Sequence, residues 1–167
     1  MGVRRVHPDE WEELRALRVR SLEESPDSFG STAFEALRRD DEDWRAWADA
    51  GSSSSSSAVF VARTDGRMVG LCGSFLHRDN SRIAHIVAMW VDPGHRGRRL
   101  GEQLLAAASD WSTKRGAHEV VLDVTETNRS ARRLYRRAGF RETGTRTPLR
   151  SNPALLTIEM RKQLREG

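Results

Sequence analysis

Residues Val91-Asp92-Pro93-Gly94-His95-Arg96-Gly97-Arg98-Arg99-Leu100-Gly101 constrain this chain more than any other stretch. An apolar run stops at a proline, a Gly/Arg turn follows, and apolar residues then recur at helical spacing from Leu100 to about Lys114. A strand that enters a helix in this way returns as a second strand parallel to the first. The turn also directs backbone N–H groups and the positive end of the helix dipole at one point in space. Arg96, Arg98 and Arg99 crowd that point, so the segment reads as a seat for a polyphosphate. Taken alone, it also suits an ordinary connection with solvated arginines.

The rest of the chain supplies partners for this unit. A short strand at 3–6 leads to Asp9, which can cap a helix, and Leu14, Leu17 and Leu22 follow at helical spacing. Residues 25–30 break that helix, and a second is expected over 34–50 with Trp44 and Trp47 on one face. The serine-rich stretch 51–57 reads as a flexible surface loop. Asp65-Gly66 joins strands at 58–62 and 68–76, because that pair tolerates the positive φ of a two-residue hairpin. Asp79-Asn80 turns the chain into the fourth strand, Ile83–Val91. A fifth strand at 119–124, a short helix at 130–138 and strands at 140–145 and 155–160 follow, with Pro148 and Pro153 in the last loop. The fold class is therefore α/β (α+β), a mixed, mostly antiparallel seven-stranded sheet with helices on both faces.

At 167 residues the chain is expected to form one domain, 1–167. It has neither an apolar run near membrane-spanning length nor an apolar signal region, so the expectation is a cytoplasmic protein away from membranes. Cys72 is the only cysteine, which excludes an internal disulfide and a cysteine-based zinc site, and no metal is expected. The net charge of +4 suits a nucleic acid or a highly anionic small ligand. The basic segment Arg129, Arg132, Arg133, Arg136 and Arg137 lacks interleaved aromatics and helix-turn-helix spacing, which argues against nucleic acid. Most of these arginines read as a solvated face, with one or two near a phosphate.

A second segment gives the first its context. Asn128, Ala131, Leu134, Tyr135, Gly139 and Phe140 match N-x-x-A-x-x-L-Y-x-x-x-G-F, and Arg96 and Gly101 match R/Q-x-x-G-x-G/A upstream. In this order the two resemble the Gcn5-related N-acetyltransferase (GNAT) superfamily. Leu122-Asp123-Val124 is similar to the Leu-Glu-Val of the ribosomal-protein N-terminal acetyltransferases. The resemblance implies a GNAT fold whose parallel fourth and fifth strands splay, with acetyl-CoA as co-substrate. It implies that the main chain of Met89, Trp90 and Val91 holds the pantetheine arm, with Asn128 beside it. The pyrophosphate would meet the N–H groups of Gly97, Arg98, Arg99, Leu100, Gly101 and Glu102. Arg99 stands where the family has a glycine, and a helical conformation with the side chain turned outward is expected there. Tyr135, the only tyrosine, is the implied acid for the leaving thiolate.

The general base is open between Asp123 and His85, with Glu126 third. His85 lies on the fourth strand, where many members carry a glutamate, and imidazole titrates near neutrality. The implied activity is acetyl transfer to a primary amine within a ternary complex. The implied acceptor pocket includes residues 25–32 and 145–153, with Phe29 as a wall. Protein N-termini, lysines and small or antibiotic amines all stay open as acceptors. A degenerate acyl-CoA sensor is the alternative, and a nucleic-acid binder a more distant one. Homodimers are common in the family, but no interface is identifiable in this sequence.

Overall fold

Apolar runs bounded by turn residues become strands here, and helically spaced apolar residues become the layers that cover them. The computed structural model describes residues 2–165. Its elements are β1 (Gly2–Arg5), α1 (Trp11–Glu24), α2 (Ala33–Leu37), α3 (Asp41–Ser53), β2 (Ser57–Thr64), β3 (Arg67–Leu76) and β4 (Ile83–Val91). They continue as α4 (Leu100–Lys114), β5 (Glu119–Thr125), α5 (Arg129–Arg137), β6 (Arg141–Leu149) and β7 (Asn152–Gln163). The strands form one sheet in the order β1-β2-β3-β4-β5-β7-β6. Among the described residues only β4 and β5 are parallel, as the intervening helix requires.

Both faces of the sheet carry core. On one, Leu100, Leu104, Leu105 and Ala108 of α4 pack with Ile86, Leu122 and Phe140. On the other, Leu14, Leu17 and Trp44 meet Val61, Leu71 and Trp90.

The positioning feature is the join between β4 and β5. They pair only at Ile83↔Glu119, Ala84↔Val120 and His85↔Val121, and then part. A bulge accompanies the parting. Gly73 pairs with Val87 and Leu71 with Trp90, so Ala88 and Met89 together stand opposite Cys72. Ala88 adopts φ 56° there.

Three expectations need correction. The helix over 34–50 is two helices, because Thr32 caps α2 and Asp40 caps α3 by accepting from the Asp43 N–H at 2.9 Å. The stretch 51–57 is not a free loop, since α3 runs to Ser53 and β2 begins at Ser57. Arg5 donates to the carbonyls of Gly51, Ser54 and Ser57 at 2.9, 3.1 and 3.1 Å, which fastens the crossing to β1. Finally, β6 and β7 are longer than expected, so Pro148 and Pro153 lie inside strands and only residues 150–151 turn. Pro148 is tolerated because β6 is the sheet edge, where a missing N–H breaks no ladder.

Glu10 fastens the N-terminal edge. It accepts from both terminal guanidinium nitrogens of Arg4 at 2.8 and 2.9 Å, from Arg63 at 2.8 Å and from the His7 N–H at 2.7 Å. Arg4 above all holds its carboxyl at about 2, below the ordinary 4.5. A depressed acid stabilises the fold above its unfolded value and loses that contribution as pH falls toward the folded value. Glu10→Gln is expected to cost about 1–2 kcal/mol at neutral pH, lowering Tm by roughly 2–8 °C. Melts of both proteins should converge as pH falls from about 4.5 toward 2.

Candidate active site

The parted ends of β4 and β5 open into a cavity of about 620 Å³. Met89, Trp90 and Val91 line one wall, and Asp123, Val124 and Thr125 the other. Leu134 and Tyr135 of α5 and residues 24–28 complete the lining.

Part of the lining is the turn between β4 and α4. Asp92 accepts from the Gly94 N–H at 3.1 Å and pairs with Arg20, which shapes the turn after β4. Gly97 then adopts φ 80°. No side chain caps α4, so the first-turn N–H groups of Leu100, Gly101 and Glu102 stand uncapped on the cavity lining. A Cβ on Gly101 would stand 3.1 Å from Leu134 and 3.2 Å from Met89, so glycine is what seats α4 against α5 and β4.

Arg99 corrects an expectation. It is not helical but left-handed, φ 62° and ψ 15°, where a glycine costs nothing. Arg99→Gly is expected to gain about 1 kcal/mol, raising Tm by roughly 2–4 °C. The same change removes a cation from the cavity lining, so a melt and a titration with coenzyme A should move in opposite directions.

Tyr135 is 7% exposed, on the lining, with its ring edge-on to Phe140 at 6.0 Å. Burial, with the nearby Cys72 thiol, pushes its phenol well above the ordinary value, so it stays protonated. Asn128 caps α5 by accepting from the Ala131 N–H at 3.2 Å and donates to Ser28 Oγ at 3.3 Å. Thr125 Oγ1 donates to the Asp27 carbonyl at 2.5 Å. These two bonds pin the segment after α1 over β5. Asp27 and Ser28 fall in the 25–32 segment expected at the acceptor pocket, but their bonds to Thr125 and Asn128 escaped sequence reading because they span about a hundred residues.

The model of the Acetyltransferase (GNAT) family matches residues 11–140. The chain belongs to the GNAT acetyltransferase family. An uncharacterised N-acetyltransferase of Mycobacterium tuberculosis is 37% identical over 94 residues, 54% of this chain and 56% of that protein. The streptothricin acetyltransferase of Streptomyces lavendulae is 32% identical over 115 residues, 69% of this chain and 54% of that one. The chain thus spans about half the length of the curated relatives it matches. The fold matches yncA of Salmonella typhimurium, a putative acetyltransferase solved with acetyl-CoA, at a TM-score of 0.82 and 20% identity, covering 100% of this chain and 95% of that one.

The cavity of this GNAT member fits a coenzyme A tail. It offers uncapped amides, a glycine at positive φ and the cations Arg96, Arg99 and Arg137 on its lining. Arg96 is partly committed, since it donates to the Val91 carbonyl at 2.9 Å and to Glu24 at 3.2 Å. Arg98 lies off the lining. Of the basic helix, Arg132 and Arg136 bind Glu142 at 2.7 and 2.8 Å, and Arg137 alone reaches the lining.

Phe29 is not a pocket wall. It is 7% exposed within the core, with the Arg18 guanidinium 4.6 Å from its ring centre. Among the candidate bases, Asp123 is on the lining and His85 is not. Glu126 is also off the lining and pairs with Arg146 at 3.1 Å. Cys72 is fully buried and burial pushes its thiol up to about 12, so it is no nucleophile. Among the described residues no cluster could hold a metal, and no helix is long and apolar enough to cross a membrane.

Proposed function

We propose that the protein is a cytoplasmic acetyl-CoA-dependent N-acetyltransferase that moves an acetyl group directly to a primary amine in a ternary complex. The observation that carries this reading is one cavity holding both an anion-receiving helix start and the protonated Tyr135, between strands that have parted. Acetyl-CoA supplies the activated thioester. Backbone N–H groups on the splayed edge of β4, freed from β5, stabilise the carbonyl oxygen as charge develops. Asp123 takes the proton released by the amine. Tyr135 donates to the departing sulfur, whose thiolate would otherwise be stranded in the same desolvated space. Holding amine and thioester together supplies much of the acceleration through proximity. A buried Cys72 leaves no thiol for a covalent acetyl-enzyme.

The test is a titration with acetyl-CoA followed by thiol release across a panel of N-terminal peptides, lysine peptides, polyamines and antibiotic amines. Expected are saturable binding, weakened by added salt as phosphate contacts require, and turnover on at least one amine class. Binding without turnover on any amine would favour an acyl-CoA sensor.

A further inference from the structure

The two rivals for the base turn out to be neighbours. His85 Nε2 lies 3.5 Å from Asp123 Oδ2, and His85 Nδ1 lies 3.3 Å from Nε2 of His77, a residue just past the end of β3. Phe75 and His85 stack with ring centres 5.3 Å apart and planes 1° from parallel, and His77 packs against both at 5.9 and 5.5 Å. The three rings therefore restrain one another on an open stretch of sheet, where Phe75 and Val87 remain 38% and 40% exposed.

Hydrogen-bond arithmetic fixes the protons. A carboxylate can only accept, so the nitrogen facing Asp123 must carry hydrogen. A neutral imidazole then has a bare Nδ1 on the other side. That bare nitrogen needs a donor, and His77 Nε2 is the group within reach. No other neutral assignment leaves both contacts attractive. The cross-strand partner of Asp123 is Glu159 on β7, itself 3.7 Å from Arg161, so β7 supplies no cation directly opposite Asp123.

We infer that His77 and His85 are positioning residues that aim the Asp123 carboxylate at the acceptor amine. His77 Nε2–H donates to His85 Nδ1, and the His85 Nε2–H side faces Asp123 Oδ2 at 3.5 Å, an electrostatic contact that steers the carboxylate of a residue on the cavity lining. During transfer the amine nitrogen bonds to the thioester carbonyl carbon and the carbon–sulfur bond breaks. The amine proton passes to Asp123 Oδ1 and the sulfur takes the Tyr135 proton. Solvent then returns a proton from Asp123 to Tyr135. This deepens the transferase reading and rests on it for the role of Asp123, but the His77–His85–Asp123 arrangement itself does not.

Nitrogen-15 spectra of histidine-labelled protein near pH 8 test the chain without any substrate. Expected is an Nε2–H tautomer at both His85 and His77, with a nitrogen–nitrogen coupling across their shared hydrogen bond. His77→Leu should leave His85 as a tautomer mixture, and His77→Gln, whose amide can replace the lost N–H, should restore it. In the amine assay Asp123→Asn is expected to lower kcat about 100-fold. His77→Leu should lower it about 10-fold, as loss of an outer hydrogen-bond partner does, while KM for acetyl-CoA holds. His77→Gln should recover most of that loss. An Nδ1–H tautomer at His85, or a Gln variant as impaired as the Leu variant with Tm unchanged, overturns the proposal. A protein that shows the predicted tautomers yet ignores acetyl-CoA defeats the transferase reading instead.

Discussion

Tyr135→Phe is expected to lower kcat at least about 100-fold, while acetyl-CoA affinity, followed by calorimetry, stays within about 2-fold. The phenylalanine ring keeps the edge-on contact with Phe140 and the packing that makes Tyr135 7% exposed, so only the hydroxyl is lost. The pH profile separates an acid from a packing residue. Burial raises the phenol, which therefore stays protonated through neutral and mildly alkaline solution. Its ionisation should produce no fall in kcat up to about pH 10, the ordinary tyrosine value. Turnover unchanged in the variant would remove Tyr135 from the proton path.

Gly51→Ala is expected to destabilise the fold by about 2 kcal/mol, a Tm fall of roughly 4–8 °C, although alanine is the better helix former. A Cβ there would stand 2.7 and 2.8 Å from Val59 Cγ2 and Cβ, and 3.2 Å from Val6. Val6 is fully buried and Val59 is 3% exposed, so neither can withdraw without moving β2 from α3. Gly2→Ala, where a new methyl meets nothing within 4 Å, is the matched control and should fall within about 0.5 kcal/mol of wild type.

The parallel pair, the Gly/Arg turn before α4 and the short helix after Asn128 were legible because each is a local pattern of strand, glycine and cap. Contacts between distant segments were not. Nothing in the composition of 51–57 shows that Arg5 gathers three of its carbonyls, so a serine run that looks mobile is tied down. Asp40 divides the helix expected at 34–50 because a side chain that caps the following turn competes with continuation. Phe29 has the residue type of a pocket wall, yet the fold turns its ring into the core. His77 carried no signal at all. It sits beyond a strand end and gains meaning only when the β3–β4 hairpin brings it beside His85.

Where β4 and β5 separate, the strand edges past His85 have no ladder partner in each other. In deuterated water the amides on that edge should exchange as quickly as those of a loop, despite belonging to a central strand. Ligand occupancy should slow them selectively, while the Ile83–His85 segment, already paired, keeps its rate. Solvent isotope uptake along a single nine-residue strand would then report whether the crevice is filled, in a mixture where the acceptor has not yet been found.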